Sequence, residues 1–276
     1  MNEAAEAAAE QGLVALPGRQ LPRARGFEAN ERWLRFAAPF IVLALWELIV
    51  RVHLLDQRFF PAPSMIVEDF IAYAQSGQLV SDTLTTLSRI LIGFVIGAVP
   101  GTILGLVMGI NKWFRAFLDP IVSILYPIPK IAILPLVLLI FGIGEASKYS
   151  LVAIGVFFLM VINTEAGVRQ IENIYLDVAR AYRIRPLSFY RRVLLPGALP
   201  NVFAGIKLSI GVGIILGVAA EFTAAKSGLG FTIWNGWQTL QVERMYVALV
   251  MVSLLGFVLT TILDEAEKLF IPWIRN

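Results

Sequence analysis

Ionisable side chains set in apolar sequence are the ones that could do chemistry in this chain, and Lys130 is the most conspicuous. It follows Pro129 in a run that also holds Pro120, Pro127 and Pro135, and each interior proline removes a helical hydrogen bond and kinks the axis. A charge at that depth costs roughly 2.5–3.5 kcal/mol on insertion scales. Lys130 must therefore face protein or water, either lining a passage that attracts anions or snorkelling or pairing with a carboxylate. Glu145 and Glu221 are the candidate partners, and Glu221 is placed with Pro129, Lys130 and Pro135 along the same passage. Arg89 and Lys207 lie nearer the ends of apolar runs, where a long side chain reaches water by snorkelling.

Little else is assembled for catalysis. With 0 cysteines there are no disulfides, thiolate metal sites or cysteine nucleophiles, and His53 is the only histidine. No paired carboxylates, histidine clusters or nucleophile triads stand out, so no catalytic residue, metal site or cofactor is assigned to the chain. The phosphate-cradling pattern Gly-x-x-x-x-Gly-Lys-[Ser/Thr] is missing; the stretch 142–148 has only a superficial likeness to it. A net charge of +3 is too small to suggest a nucleic-acid partner.

These residues have to be carried by a membrane protein. The 276 residues are 58% hydrophobic and 16% charged with a mean hydropathy of +0.74, against about a quarter charged in soluble domains. Charge is clustered, leaving uncharged runs of the ~20 residues that cross a bilayer. Six spans are expected, at 36–52, 83–110, 117–143, 149–167, 201–224 and 246–263. The first 30 residues read as a tail, Ala/Glu-rich and then broken by Pro17, Gly18, Pro22 and Gly26. A secretory signal would put its apolar core closer to the start, so the first span should persist as an anchor. Of the 23 Lys and Arg residues, fifteen fall on segments that share a side with the N-terminus and five on the opposite side, with Arg89, Lys130 and Lys207 inside spans. The positive-inside bias then places both termini in the cytoplasm.

Two loops fall outside. Residues 53–82 carry Pro63-Ser64, a helix entry, followed by an amphipathic stretch expected to lie at the outer surface; residues 225–243 bend at Gly228, Gly230 and Gly236 and carry Trp234 and Trp237, which suit an interfacial belt or an outer partner. Within the second span Gly93, Gly97, Gly101, Gly105 and Gly109 recur every fourth residue. Small residues let helix backbones approach where lipid supplies no hydrophobic drive. The ridge should pack against a neighbouring helix of the same chain, and it could also permit sliding.

A polar insert at 175–196 separates the fourth and fifth spans. Val178, Ala181 and Tyr182 repeat at helical spacing with Arg180, Arg183 and Arg185 off that face, and Pro186 opens a second short helix striped by Leu187, Tyr190 and Leu194. Leu195-Pro196 is expected to end it. Charge asymmetry alone does not require apolar stripes, so the insert reads as a knob for a partner's groove.

Its spacing resembles the coupling loop of ABC-transporter permeases, Glu-Ala-Ala, three residues, Gly, nine residues, Ile, one residue, Leu-Pro. Asp177, Val178 and Ala179 stand for Glu-Ala-Ala, Val193 for Ile, and Leu195 and Pro196 match; Arg183 takes the glycine position, so the bend should adopt another geometry or move to 184–186. The resemblance extends to Pro127-x-Pro129-x-x-Ala132-x-x-Pro135, Phe141-Gly142-Ile143-Gly144-Glu145, Ala219-Ala220-Glu221-Phe222 and Ser227-Gly228-Leu229-Gly230, as in permeases for taurine, alkanesulfonates and nitrate, with Lys130 where those often have proline. It covers roughly 60–270. It implies an all-α fold with the type I ABC importer transmembrane domain at 83–267, preceded by the first helix and outer loop at 31–82 and followed by a cytoplasmic end at 268–276. It also implies a bacterial inner-membrane location, a second copy of the chain, an ATPase dimer that carries ATP and Mg, and an extracytoplasmic binding protein that delivers a small anion. The ATPase would act through Asp177, Ala179, Arg180, Tyr182, Arg183, Arg185, Pro186, Leu195 and Pro196. A secondary transporter driven by ions or protons is the other class; it needs no such knob, and no internal repeat is evident.

Overall fold

The computed structural model describes residues 27–274, without the side chains of 27–36, Arg180, Ala224 and Ile274. The N-terminal tail expected at 1–30 therefore lies outside the described residues except for its last four positions, which already belong to the first helix. Two compact units divide the chain between Leu54 and Leu55.

The first unit holds helix α1, Phe27–Arg51, which contains the first expected span from 36 onward. Pro39 lies within it and Glu47 accepts a hydrogen bond from Arg51 Nε at 2.6 Å.

The second unit is built of helices joined by turns, with no strand among its described residues. Helix α2 (Pro63–Gln75) opens with proline in its first turn, where the missing N–H has no helical partner to lose. This is the short helix expected after Pro63-Ser64. The chain reverses at Gly77, whose φ of 75° suits glycine, and enters α3 (Gln78–Ile110). Its 33 residues extend about 50 Å at 1.5 Å per residue, more than a bilayer core. Asn111 then caps α4 (Lys112–Leu125), its side chain accepting from the Trp113 and Phe114 amides.

The proline-rich third span is broken rather than merely kinked. Helix α4 ends at Leu125, a tight turn occupies Lys130–Ile133, and α5 (Leu134–Phe141) leaves at 87° to α4. Gly142, with φ 75°, and Gly144 lead into α6 (Glu145–Arg169). After the insert come α9 (Leu195–Ala224), α10 (Leu229–Gln238) and α11 (Val242–Phe270). Among the described residues, four helices are long and apolar enough to cross a membrane, five if the bent pair counts as one.

Helix α6 is the central post. Its apolar window is 61% buried, against 33% for α3 and 17% for α11. The glycine ridge explains the α3 contact: a Cβ on Gly93 would stand 2.7 Å from Val152 Cβ, one on Gly101 2.7 Å from Phe157 O, and one on Gly105 2.6 Å from Val161 O. On Gly97 and Gly109 it would collide with Ala153 and Val168. All five glycines face α6, within one subunit.

Candidate functional site

The insert begins with α7 (Asn173–Ala181). Its end is closed by Tyr182 N–H donating to Val178 O at 3.0 Å and Ile184 N–H donating to Ala179 O at 3.1 Å. The second bond is the six-to-one closure of a helix whose next residue is left-handed. That residue is Arg183, at φ 48°. The turn does not move to 184–186 to avoid the missing glycine; the arginine adopts the glycine conformation, at a cost of roughly 1–2 kcal/mol for an L-residue.

A four-residue helix, α8 (Pro186–Phe189), follows, and the backbone then widens over Tyr190–Leu194, where the Leu195 amide donates to Tyr190 O five residues back. Wide turns of this type recur at functional positions. Leu195 and Pro196 do not terminate the insert. They are the first residues of α9, because proline is tolerated in a first helical turn.

The insert has two sides. Ala179 is 5% exposed and Leu194 2%, and Leu194 packs with Val168 and Ala198 of the spanning helices. Tyr182 is 80% exposed and Leu187 71%, and Asp177, Val178, Arg183, Arg185 and Pro186 are exposed as well. The side chain of Arg180 lies outside the described residues. A rigid inner side tied to α6 and α9 thus carries an outer side of aromatic, aliphatic and basic groups.

The broken span forms the second region. Pro129 has no N–H to offer Leu125 O, four residues back. Lys130 Nζ takes that place, donating to Leu125 O at 2.8 Å and to Tyr126 O at 3.0 Å, and lies 4.5 Å from the centre of the Phe158 ring. The ammonium caps the negative end of α4. Among the described residues no carboxylate pairs with it, so of the alternatives for Lys130 the pairing with Glu145 or Glu221 is not the one adopted. Pro129 and Pro135 are both exposed.

Those carboxylates belong to Arg89. Its Nε and Nη2 each donate to Glu145 at 2.7 Å, and Nη1 donates to Glu221 Oε1 at 2.7 Å and to Ser227 O at 2.6 Å. Glu221 also accepts from Thr86 Oγ1 and from Gly230 N–H, and Glu145 accepts from Lys148. Arg89 is 3% exposed and Glu221 0%, so Arg89 does not snorkel and Glu221 presents no surface to a passage. Lys207 likewise pairs, with Asp264 at 2.6 Å and Glu267 at 2.5 Å. The Arg89 junction joins α3, the start of α6, the end of α9 and the loop before α10. Sequence carried a signal for it: the expected spans put Arg89, Glu145 and Glu221 near the same membrane face.

Beside the junction, Asp82 accepts from Gly228 N–H at 2.7 Å and from the Tyr73 hydroxyl. Burial, followed by the neighbouring Asp82 carboxylate, holds the Tyr73 phenol well above its ordinary pKa, so it remains a donor. Arg244 lies over the Tyr73 ring and bonds Asp69 at 2.7 and 2.9 Å, fastening α2 to α11.

A broken span, a central helix packed on a glycine ridge and a helix-turn-helix between spans make a helical architecture of membrane-spanning length and composition. Residues 101–276 match the family described as binding-protein-dependent transport system inner membrane component, and the chain belongs to that family. It is 36% identical over 247 residues to the permease protein SsuC of Escherichia coli K12, named for aliphatic sulfonates transport, covering 88% of this chain and 94% of that one. It is 32% identical to the nitrate import permease protein NrtB of Synechocystis, with 84% and 86% covered, and 29% identical to the taurine transport system permease protein TauC of Escherichia coli K12, also with 84% and 86% covered. Among solved structures, the MetNI methionine ABC transporter in an inward-facing conformation superposes with a TM-score of 0.61 at 23% identity, covering 70% of this chain and 96% of that one. An amino acid ABC transporter superposes at 0.56 and 17% identity, with 74% and 97% covered. The fold is that of type I ABC importer permeases.

Proposed function

We infer that this chain is the permease of an importer for a small organic or inorganic anion, a sulfonate or nitrate, moved by a separate ATPase that grips the 175–196 insert. The observation that carries this reading is the two-sided insert: Tyr182 and Leu187 are presented outward while Leu194 is locked among the spanning helices. A groove closing on that outer side would move α6 and α9 as one piece. The substrate class rests on what the relatives are named for and on Lys130, a cation with no carboxylate partner among the described residues, at the break in the third span. In the complex, two copies of the chain would face each other with the broken spans and α9 along the passage. A binding protein would dock on 53–82 and 225–243, and the Lys/Arg bias supports both termini and the insert on the cytoplasmic side.

The test is reconstitution of this chain with its ATPase and binding protein in proteoliposomes. Uptake of labelled ethanesulfonate, taurine or nitrate should require both partners and ATP. Uptake by the permease alone, driven by an ion or proton gradient, would assign it to secondary transport.

A further inference from the structure

Two recesses meet beside the insert. A cleft of about 540 Å³ lies between the end of α3, the end of α6 and the insert, floored by apolar groups such as Ile110, Ile171, Ile184 and Phe189 and bordered by Arg169 and Arg183. A second, of about 330 Å³, is lined by Ile103, Leu106, Val107, Ile110, Asn111, Phe114 and Tyr190. The two share Ile110 and Tyr190, so a polar-rimmed cleft continues into an apolar groove along the last two turns of a spanning helix. Both volumes fall within the roughly 300–1,000 Å³ of small-ligand clefts.

The depth is fixed by the fold. Ile110 is the last residue of α3 and Arg169 the last of α6, so the cleft lies where spanning helices leave the hydrocarbon. The groove turns back toward the membrane, and Ile103 and Phe114 on its wall are 58% and 52% exposed. Arg169 is available: its side chain is 60% exposed and its contact with Glu165 is long, at 3.5 Å. Arg183 reaches the same cleft from a left-handed backbone position, a strained conformation of the type that gathers at functional sites. A ligand suited to this shape carries an anionic head for the two guanidiniums, which favour phosphate oxygens, and an acyl chain for the groove.

We propose that this composite site binds an anionic phospholipid, its phosphate between Arg169 and Arg183 and one acyl chain along Ile103, Val107 and Phe114. The lipid bridges the ends of α3 and α6 to the turn of the insert, so its headgroup sets how firmly that turn is held. Basic pockets between spanning helices are known to take such headgroups. The site shares Arg183 and Pro186 with the insert, but lipid binding is read on the permease alone, without the ATPase.

The experiment is native mass spectrometry of the full-length permease released from nanodiscs of mixed phosphatidylglycerol and phosphatidylcholine. The wild-type chain should retain phosphatidylglycerol preferentially. Arg183→Gly, which removes the charge at a left-handed position that glycine adopts freely, should cut that preference about fivefold, as expected for one arginine near a lipid surface. Arg169→Gln should do the same, and Val107→Trp should reduce retention of both lipids by filling the groove. Retention without headgroup preference, or a preference unmoved by both arginine substitutions, overturns the proposal. Retention of added dodecylsulfonate in place of phosphatidylglycerol would also overturn it, by assigning the site to a free amphipathic anion.

Discussion

Arg89 Nη1 and Glu221 Oε1 lie 2.7 Å apart, 132 residues apart in sequence, with 4% and 0% of their side chains exposed. Neither charge could persist alone in that setting. Glu145, 47% exposed at its side chain, is the member of the group that reaches the surface, and it begins the helix that the broken span feeds. The junction therefore clamps the end of α9 and the loop before α10 to the exit of the broken span.

Removing one partner of a buried pair leaves an uncompensated charge and costs roughly 3–5 kcal/mol. Arg89→Met should accordingly lower the melting temperature in detergent sharply. Adding Glu221→Gln should recover part of the loss, since it removes the stranded charge. Simple additivity of the two substitutions, read from a double-mutant thermal cycle, would show that they do not form one unit.

Lys130→Met should destabilise the break in the third span by about 1 kcal/mol, the net worth of hydrogen bonds lost at two exposed carbonyls. It should also slow anion uptake. Lys130→Arg should restore stability, because it again supplies donors to Leu125 O and Tyr126 O. Unfolding of both variants at the wild-type temperature would remove the capping role.

The glycine ridge gives a position-specific expectation. Gly97→Ala places a Cβ against the Ala153 backbone, which cannot swing away as a side chain can, and overpacking of this type costs roughly 1–3 kcal/mol. Gly211→Ala meets nothing within 4 Å and should be neutral or stabilising by up to about 1 kcal/mol through helix propensity. Equal thermal shifts for the two alanines would mean that α3 and α6 are not held at that distance.

Arg183 tests the bend of the insert. Arg183→Gly should be neutral or stabilising by about 1 kcal/mol, since glycine reaches positive φ freely, while Arg183→Ile should cost at least as much, because a branched Cβ resists that conformation. Local hydrogen exchange at the Tyr182 and Ile184 amides would report it. Faster exchange in the glycine variant than in the isoleucine variant contradicts the left-handed turn.

The repeating features were legible in the sequence. The apolar runs, the glycine at every fourth residue and the striped insert are local periodicities, and a period survives without knowledge of contacts. The partners of Arg89 were not legible in the same way: pairing across 132 residues depends on which helices touch, and snorkelling explains a lone arginine near a span end just as well. Lys130 shows the same gap: Pro129 signals that Leu125 O lacks its helical donor, but not that the Lys130 ammonium folds back to supply it. The conformation of Arg183 escaped for a different reason. Propensity argues against arginine at positive φ, whereas the closure of α7 onto Ala179 O requires it there.

The account rests most heavily on the outer side of the insert, and Tyr182→Glu tests it with little risk to folding, since that side chain is 80% exposed. In proteoliposomes holding the permease, ATPase and binding protein, the ratio of substrate imported to ATP hydrolysed should fall at least tenfold while the permease keeps its melting temperature. A ratio equal to that of the wild type would show that force does not enter the membrane helices through this insert.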